Sequence, residues 1–346
     1  MTTQLELEIA EQPDCVARLL GEGRAAIAAA AARIRARGPK HVVIAARGTS
    51  DNAARYAKYL FGVRQGWVTA LAAPSLHTLY DAVPDMSEAL VVGISQSGRS
   101  PDVVSVLDSA RRQGGLTLAI TNDTNSDLAN SAELVIDQGA GPEKSVAATK
   151  TYTTQLAALA VLSSELAGES ESHEDLQALP AAMAETIEMS AGLADEAKSF
   201  VDVPHYFLVG RGFNYSTAFE IALKVKETNY VIAEPYSPAD LLHGPVAVVD
   251  RDFPVMLVAP KGRTYRTMSE AIDKLADRGA KMLIVSDDPA VMERAAVRMP
   301  IAQGVPEWLT PLCTVIPGQV WARVLAEARG LDPDRPRGLS KVTLTH

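Results

Sequence analysis

The sequence predicts an α/β protein made of two tandem, doubly wound, flavodoxin-like parallel-sheet domains. Three observations point there. Short apolar runs alternate with helical patterns, as in a parallel sheet covered by helices on both faces. The second half repeats the first at a constant offset of 164: His41…Arg47-Gly48 matches His205…Arg211-Gly212, Ala54 matches Ala218, Gly98-Arg99 matches Gly262-Arg263, Gly115 matches Gly279, and Ile120…Asp123 matches Ile284…Asp287. An ungapped offset over about 80 residues indicates a duplicated unit. Finally, the stretch ISQSGRSPD, residues 94–102, joins an apolar run to a helix start through a loop of serine and glycine.

Residues 1–37 are rich in Ala, Glu and Arg. A helical pattern starts near Pro13 and runs through Ile34, broken near Gly21 and Gly23, and Gly38-Pro39 end it. Residues 41–46 read as a strand, 47–52 (RGTSDN) as a polar loop and 53–61 as a helix. A strand at 67–72 and a short helix at 75–80 follow. The fully apolar run 89–94 reads as a buried strand. Pro101 suits a first helical turn because its missing N–H has no partner to lose there. Ser100 is the expected N-cap, and Asp102 lies near the positive end of the dipole. Val103, Val104, Val106, Leu107 and Ala110 keep helical spacing until Gly114-Gly115. A strand at 116–120, a short helix at 127–131, a strand at 133–136, a loop at 137–146 and a long helix near 149–166 complete the first copy. GESESHED, 168–175, reads as a linker, and 181–200 as a helix bridging to the second copy. The expected division is a helical segment (1–38), a first domain (39–167), linker and bridging helix (168–200), a second domain (201–330) and a tail (331–346).

Composition narrows the function. The 346 residues, 47% hydrophobic and 22% charged, suffice for two ordinary domains. A net charge of -9 without a basic run argues against nucleic acid as a partner. No apolar run approaches a membrane span, and the acidic start is no signal peptide. Cys15 and Cys313 are too few and too far apart for a metal site or a disulfide framework, so a cytoplasmic setting is expected. As a separate expectation, the chemistry needs no metal or other cofactor.

The 94–102 loop carries the first chemical expectation. Free backbone N–H groups and the positive end of a helix dipole meet there, and both favour an anion. Ser95, Ser97 and Ser100 add hydroxyl donors, Gln96 adds an amide, and Gly98 lets the backbone come close. The reading is a phosphate cradle; the competing one is an ordinary strand-to-helix turn rich in serine. In copy two Ser95-Gln96-Ser97 becomes Ala259-Pro260-Lys261, which removes the hydroxyls and one N–H. One phosphate site per chain is therefore expected, in copy one, at the carboxyl ends of the strands. Arg47 and Arg211 recur in both copies, which points to a structural task.

Six stretches occur in one order: RGTSDNAARY, ISQSGRSPD, SVAATKTYTTQL, ALKVKE, LHGP and GLSKVT. Together they resemble the sugar isomerase (SIS) double-domain family, which includes the isomerase half of glutamine–fructose-6-phosphate amidotransferase and SIS-type glucosamine-6-phosphate deaminases. The similarity runs from Glu8 to the tail. It implies that Ser95, Gln96, Ser97 and Ser100 hold a 6-phosphate, and that Thr49, Ser50 and Val146 line the sugar. It makes Glu227 the base that moves a proton between C1 and C2, with Lys224 and Glu220 beside it. His243 would help open the ring from a neighbouring subunit, and Lys341 would meet the sugar carbonyl and could form a Schiff base.

The spacing agrees with part of this. Glu220, Lys224 and Glu227 are four and three apart and share one helix face. A carboxylate partly screened from water is a stronger base, and a lysine kept from water is a usable amine. The competing reading of the trio is a solvated helix face. Met1-Thr2 offers no N-terminal cysteine for splitting glutamine, so a glutamine-dependent synthase is not expected. Arg99-Ser100-Pro101 and Pro142-Glu143-Lys144-Ser145 look more like the deaminase branch. Ala148 stands where synthases of the family carry a sugar-contacting serine, and Leu242 precedes His243 where a basic residue is usual. Three readings stay open. One is an isomerase or deaminase acting on glucosamine 6-phosphate or N-acetylglucosamine 6-phosphate. Another is a dehydratase expelling the C3 hydroxyl of the N-acetyl sugar, and the last is a non-catalytic sugar-phosphate sensor. A phosphorylated amino sugar is the expected ligand, and a histidine supplied across an interface implies a homodimer.

Overall fold

The computed structural model describes residues 2–168 and 171–341. Two compact units form. The first unit is Asp14–Glu143, Lys150–Gln177 and Ser340–His346; the second is Met1–Pro13, Lys144–Thr149 and Ala178–Leu339.

The chain opens with α1 (Gln4–Ala10) and α2 (Gln12–Arg18). A π-helical turn, Leu19–Gly23, joins α2 to α3 (Arg24–Arg37) where the two glycines interrupt the pattern, and Gly38 closes α3 in the left-handed conformation. Then come β1 (His41–Ala46), α4 (Gly48–Arg64), β2 (Val68–Leu71), α5 (Ser75–Thr78), β3 (Ala89–Ser95), α6 (Pro101–Arg112), β4 (Leu116–Thr121), α7 (Asp127–Ser131), β5 (Leu134–Asp137) and α8 (Lys150–Ala167). Within this part of the chain the stretch 47–52 departs from expectation. RGTSDN is not a loop: α4 begins at Gly48, with Arg47 extended at the N-cap and its carbonyl accepting from Ser50 and Asp51. Ser, Asp and Asn favour both turns and helix starts, so composition alone could not separate the two.

The first sheet has the order β2-β1-β3-β4-β5, and all neighbours are parallel. All seven residues of the central β3 are buried, as a strand covered on both faces must be. Val103, Val106, Leu107 and Ala110 of α6 pack with Ala45, Val91, Ala119 and Leu128. The strand order reverses between β1 and β3, so the loops after those two strands open onto the crevice where doubly wound sheets bind ligands.

The rest of the chain comprises α9 (Glu171–Met189), α10 (Leu193–Ala197), β6 (His205–Val209), α11 (Tyr215–Asn229), β7 (Ile232–Tyr236), α12 (Pro238–Leu242), β8 (Pro254–Val258), α13 (Tyr265–Asp277), β9 (Lys281–Ser286), α14 (Pro289–Met292), β10 (Val297–Pro300) and α15 (Thr310–Ala328). Two expectations are corrected here: from Glu171 on the polar run 168–175 is the start of α9 rather than linker, since charged and polar residues also suit an exposed helix turn, and the helix expected over 181–200 is split into α9 and α10 at residues 190–192, where Gly192 lies. The second sheet, β10-β9-β8-β6-β7, has the same order as the first read from the other edge. Its strands start within one residue of the 164-residue offset.

α1 belongs to the second unit and packs on α15 through its buried Leu5 and Ile9. Its free N–H groups are satisfied by Asp334, whose carboxylate accepts from Gln4 and Leu5, each at 2.7 Å, and by Thr3, whose hydroxyl accepts from Glu6 at 3.2 Å. Among the described residues no helix is long and apolar enough to cross a membrane.

Candidate active site

In the first unit, the loops after β1 and β3 meet at the reversal of strand order. Ser95 ends β3, and its hydroxyl oxygen accepts the Gly98 N–H at 3.1 Å, folding the loop back on itself. Gly98 has φ +63°, and a Cβ there would lie 2.0 Å from Ser126 Oγ, so the turn admits only glycine. The Gly98 carbonyl accepts from Leu128 at 3.0 Å, and that of Gln96 from Asn122 at 3.2 Å. Gln96, Ser97 and Ser100 remain partly exposed. Ser100 holds the N-cap position by backbone, but its hydroxyl makes no capping bond, so the helix does not consume it.

Asp102, buried in the first turn of α6, takes Arg47 Nε at 2.6 Å. That ion pair ties the loop after β1 to the loop after β3 and gives Arg47 a structural task. In the first turn of α4, Thr49 is partly exposed, while Ser50 is buried and accepts from Gln155 of α8 at 3.0 Å.

The matching crevice of the second unit is filled by the protein itself. Thr264, the counterpart of Ser100, gives both its N–H and its hydroxyl to Glu307 Oε1, each at 3.2 Å. Gly262, the counterpart of Gly98, makes room: a Cβ there would meet Glu307 Cδ at 2.4 Å. Arg266 stands where the first copy has Asp102, and it pairs with Glu270 instead at 3.0 Å. A carboxylate seated on this helix start is what the dipole and the free N–H groups favour.

The second unit also holds the acid–base trio on α11. α15 fixes that helix closely. A Cβ on Gly318 would meet Ile221 at 2.4 Å, Asn214 donates to Thr310 at 2.8 Å, and Asn229 donates to the Ala322 carbonyl at 2.9 Å. The packing buries Glu220 (side chain 0% exposed) and Lys224 (2%). Lys224 Nζ lies 3.4 Å from Glu220 and 2.6 Å from Glu227, whose side chain is 22% exposed. The trio is therefore not a solvated face. Two of its charges are out of water and paired, and Glu227 is the member that reaches solvent.

The remaining expected residues fall in both units. His243 caps the end of α12 and is exposed; its imidazole has no partner among the described residues. Val146 and Ala148 are partly exposed, alternating with buried Ser145, Ala147 and Thr149. In the first unit, Lys341 sits 2.6 Å from Glu143, and the Glu143 side chain is fully buried. Glu143 also accepts from the Thr151 hydroxyl at 2.7 Å and N–H at 3.1 Å. Sequence reasoning missed this use of Glu143. The available signal was the repeat, which matches Pro142-Glu143 to Pro306-Glu307.

A family model described as SIS domain matches residues 37–164 and 199–326. The chain belongs to the SIS domain family. Each matched stretch carries one of the two sheets. The glutamine–fructose-6-phosphate aminotransferase (isomerizing) of Legionella pneumophila strain Lens is 36% identical over 307 residues, covering 87% of this chain and 50% of that protein. The chain thus spans about half the length of the curated relatives it matches. A Silicibacter pomeroyi DSS-3 structure, provisionally named a phosphosugar isomerase, is 36% identical with a TM-score of 0.88, covering 96% of this chain and 100% of that one. The C-terminal domain of a Francisella tularensis glucosamine-fructose-6-phosphate aminotransferase is 29% identical with a TM-score of 0.88, covering 97% and 99%. Thus the first unit carries the serine-rich loop with Thr49 and Ser50, which lie in the first SIS repeat, and Lys341, which lies outside both matched stretches. The second unit carries the α11 trio, His243, Val146 and Ala148.

Proposed function

We propose that this SIS protein is an enzyme of amino-sugar 6-phosphates that opens the sugar ring and moves a proton between C1 and C2. The observation that supports this most is the α11 trio: a buried Glu220–Lys224 pair beside a Glu227 that keeps access to solvent. Burying such charges is costly, and a solvated helix face would not do so.

In this reading the first-unit loop holds the phosphate. The open-chain sugar presents an aldehyde at C1 and an amine at C2. Glu227 removes the C2 proton and returns one to C1 while one N–H proton passes to the C1 oxygen, so that the C1 aldehyde becomes a hydroxymethyl group and the C2 amine an imine. Water adds at C2 and ammonia leaves, giving fructose 6-phosphate; the scheme uses no metal or redox group. Lys341, held by Glu143, serves the sugar carbonyl. His243, exposed and unengaged in its own unit, assists ring opening in a second copy, which makes the working form a homodimer.

A second reading follows from Ala148, whose small, partly exposed side chain leaves room for an acyl group. With an N-acetyl nitrogen, removal of the C2 proton would expel the C3 hydroxyl as water. The test is incubation with glucosamine 6-phosphate and N-acetylglucosamine 6-phosphate, reading product mass and ammonia. Ammonia in step with fructose 6-phosphate is the expected result. An unsaturated product short of one water would favour the dehydratase. Binding without turnover, unchanged in Glu227→Gln, would make the protein a sensor.

A further inference from the structure

We propose that Glu8 is a positioning residue for segment 144–149 and, through it, for the sugar end of the ligand; the inference rests on the phosphosugar reading above. Glu8 lies on α1 and is fully buried. One carboxylate oxygen accepts the Lys144 N–H and the other the Ser145 N–H, the latter at 3.1 Å. A carboxylate offers two acceptor oxygens to two successive N–H groups, and bonds to an ionised acceptor are strong.

The post itself is rigid. Asp334 and Thr3 hold the first turn of α1, Leu5 and Ile9 are buried, and Gln12 donates to Gln319 of α15 at 2.9 Å. The segment it holds belongs to neither sheet. Yet it alternates strictly: Ser145, Ala147 and Thr149 are at most 1% exposed, while Val146 and Ala148 reach the surface. A slip of one residue would turn Val146 and Ala148 inward and the polar Ser145 and Thr149 outward. Pinning the N–H groups of residues 144 and 145 sets which set faces out. Glu8 thereby helps present Val146 and Ala148, the residues that the phosphosugar reading assigns to the sugar.

The test compares the unaltered chain with Glu8→Gln, which keeps the volume but turns an NH₂ toward one of the two N–H donors. Native-state hydrogen exchange should find the Lys144 and Ser145 amides slow in the unaltered chain and at least tenfold faster in Glu8→Gln. The Kd for fructose 6-phosphate should rise about tenfold, the weight of one charge-assisted hydrogen bond. The Kd for inorganic phosphate, which needs only the first-unit loop, should not change. Glu8→Asp, which keeps the charge but shortens the reach, should fall between. Fast exchange of both amides in the unaltered chain overturns the proposal without any variant. So does an equal loss of affinity for phosphate and sugar phosphate, which marks a merely structural residue. If the unaltered chain binds no hexose phosphate, the functional reading fails, and the exchange arm alone decides whether Glu8 holds the segment.

Discussion

Lys224 stands between two carboxylates with almost no water around it, so its removal should be felt as lost stability before lost activity. Lys224→Met would leave Glu220 buried beside a neutral side chain, at a cost of about 3–5 kcal/mol. Urea unfolding at unchanged m-value measures this, and adding Glu220→Gln should recover a good part of it. A double variant no more stable than the single would mean that the pair is not what compensates Glu220. Helical spacing placed the three charges on one face, but it could not tell a buried face from a wet one. That distinction comes from α15, which lies far along the chain. Glu8 and Glu143 were invisible as site residues for the same reason: their partners lie 137 and 198 residues away.

At the scale of the element, the β3–loop–α6 unit was the most legible part of the molecule. Its apolar run, its first-turn proline, its helical stripe and its terminal glycines each act locally, and each is where the sequence placed it. Gly98 is the narrow point. Gly98→Ala must adopt φ +63° with its Cβ against Ser126, which should cost more than about 1–2 kcal/mol and abolish phosphate binding by calorimetry. Gly21→Ala, with nothing within 4 Å of the added carbon, is the matched control and should leave phosphate binding intact.

α14 offers a pH test. Asp288 caps that helix through the Ala290 N–H, and its carboxyl is held below the usual aspartate range, chiefly by the Tyr265 hydroxyl. The folded state thus prefers the charged form. The stabilisation is complete above the unfolded value of about 3.9 and disappears as pH falls through the lower folded value. The stability gap between the unaltered chain and Asp288→Asn should be constant at neutral pH and close in acid. A gap that widens below pH ~4 would contradict the assignment.

Across the whole molecule, two units share one strand order but not one chemistry. The first leaves the helix start after its third strand open to a ligand, while the second has Glu307 seated there. Titration with inorganic phosphate should therefore give one site per chain, and a second site of similar strength would show that Glu307 does not occupy its crevice in solution. The 164-residue repeat made the duplicated sheets legible, because strand order follows from a repeated alternation of strands and helices. It carried no sign that α1 packs on α15. Periodicity identifies a helix but not its neighbour.

The capping of α1 by Asp334 joins residues 330 positions apart. During synthesis α1 emerges 330 residues ahead of Asp334, and it must wait for the chain between them before the cap and the bed on α15 exist. A seven-residue helix is too short to persist alone meanwhile. Its docking is thus a late event in folding, with a long loop to close. Nascent chains arrested short of Asp334 should leave residues 4–10 open to protease even when both sheets have formed.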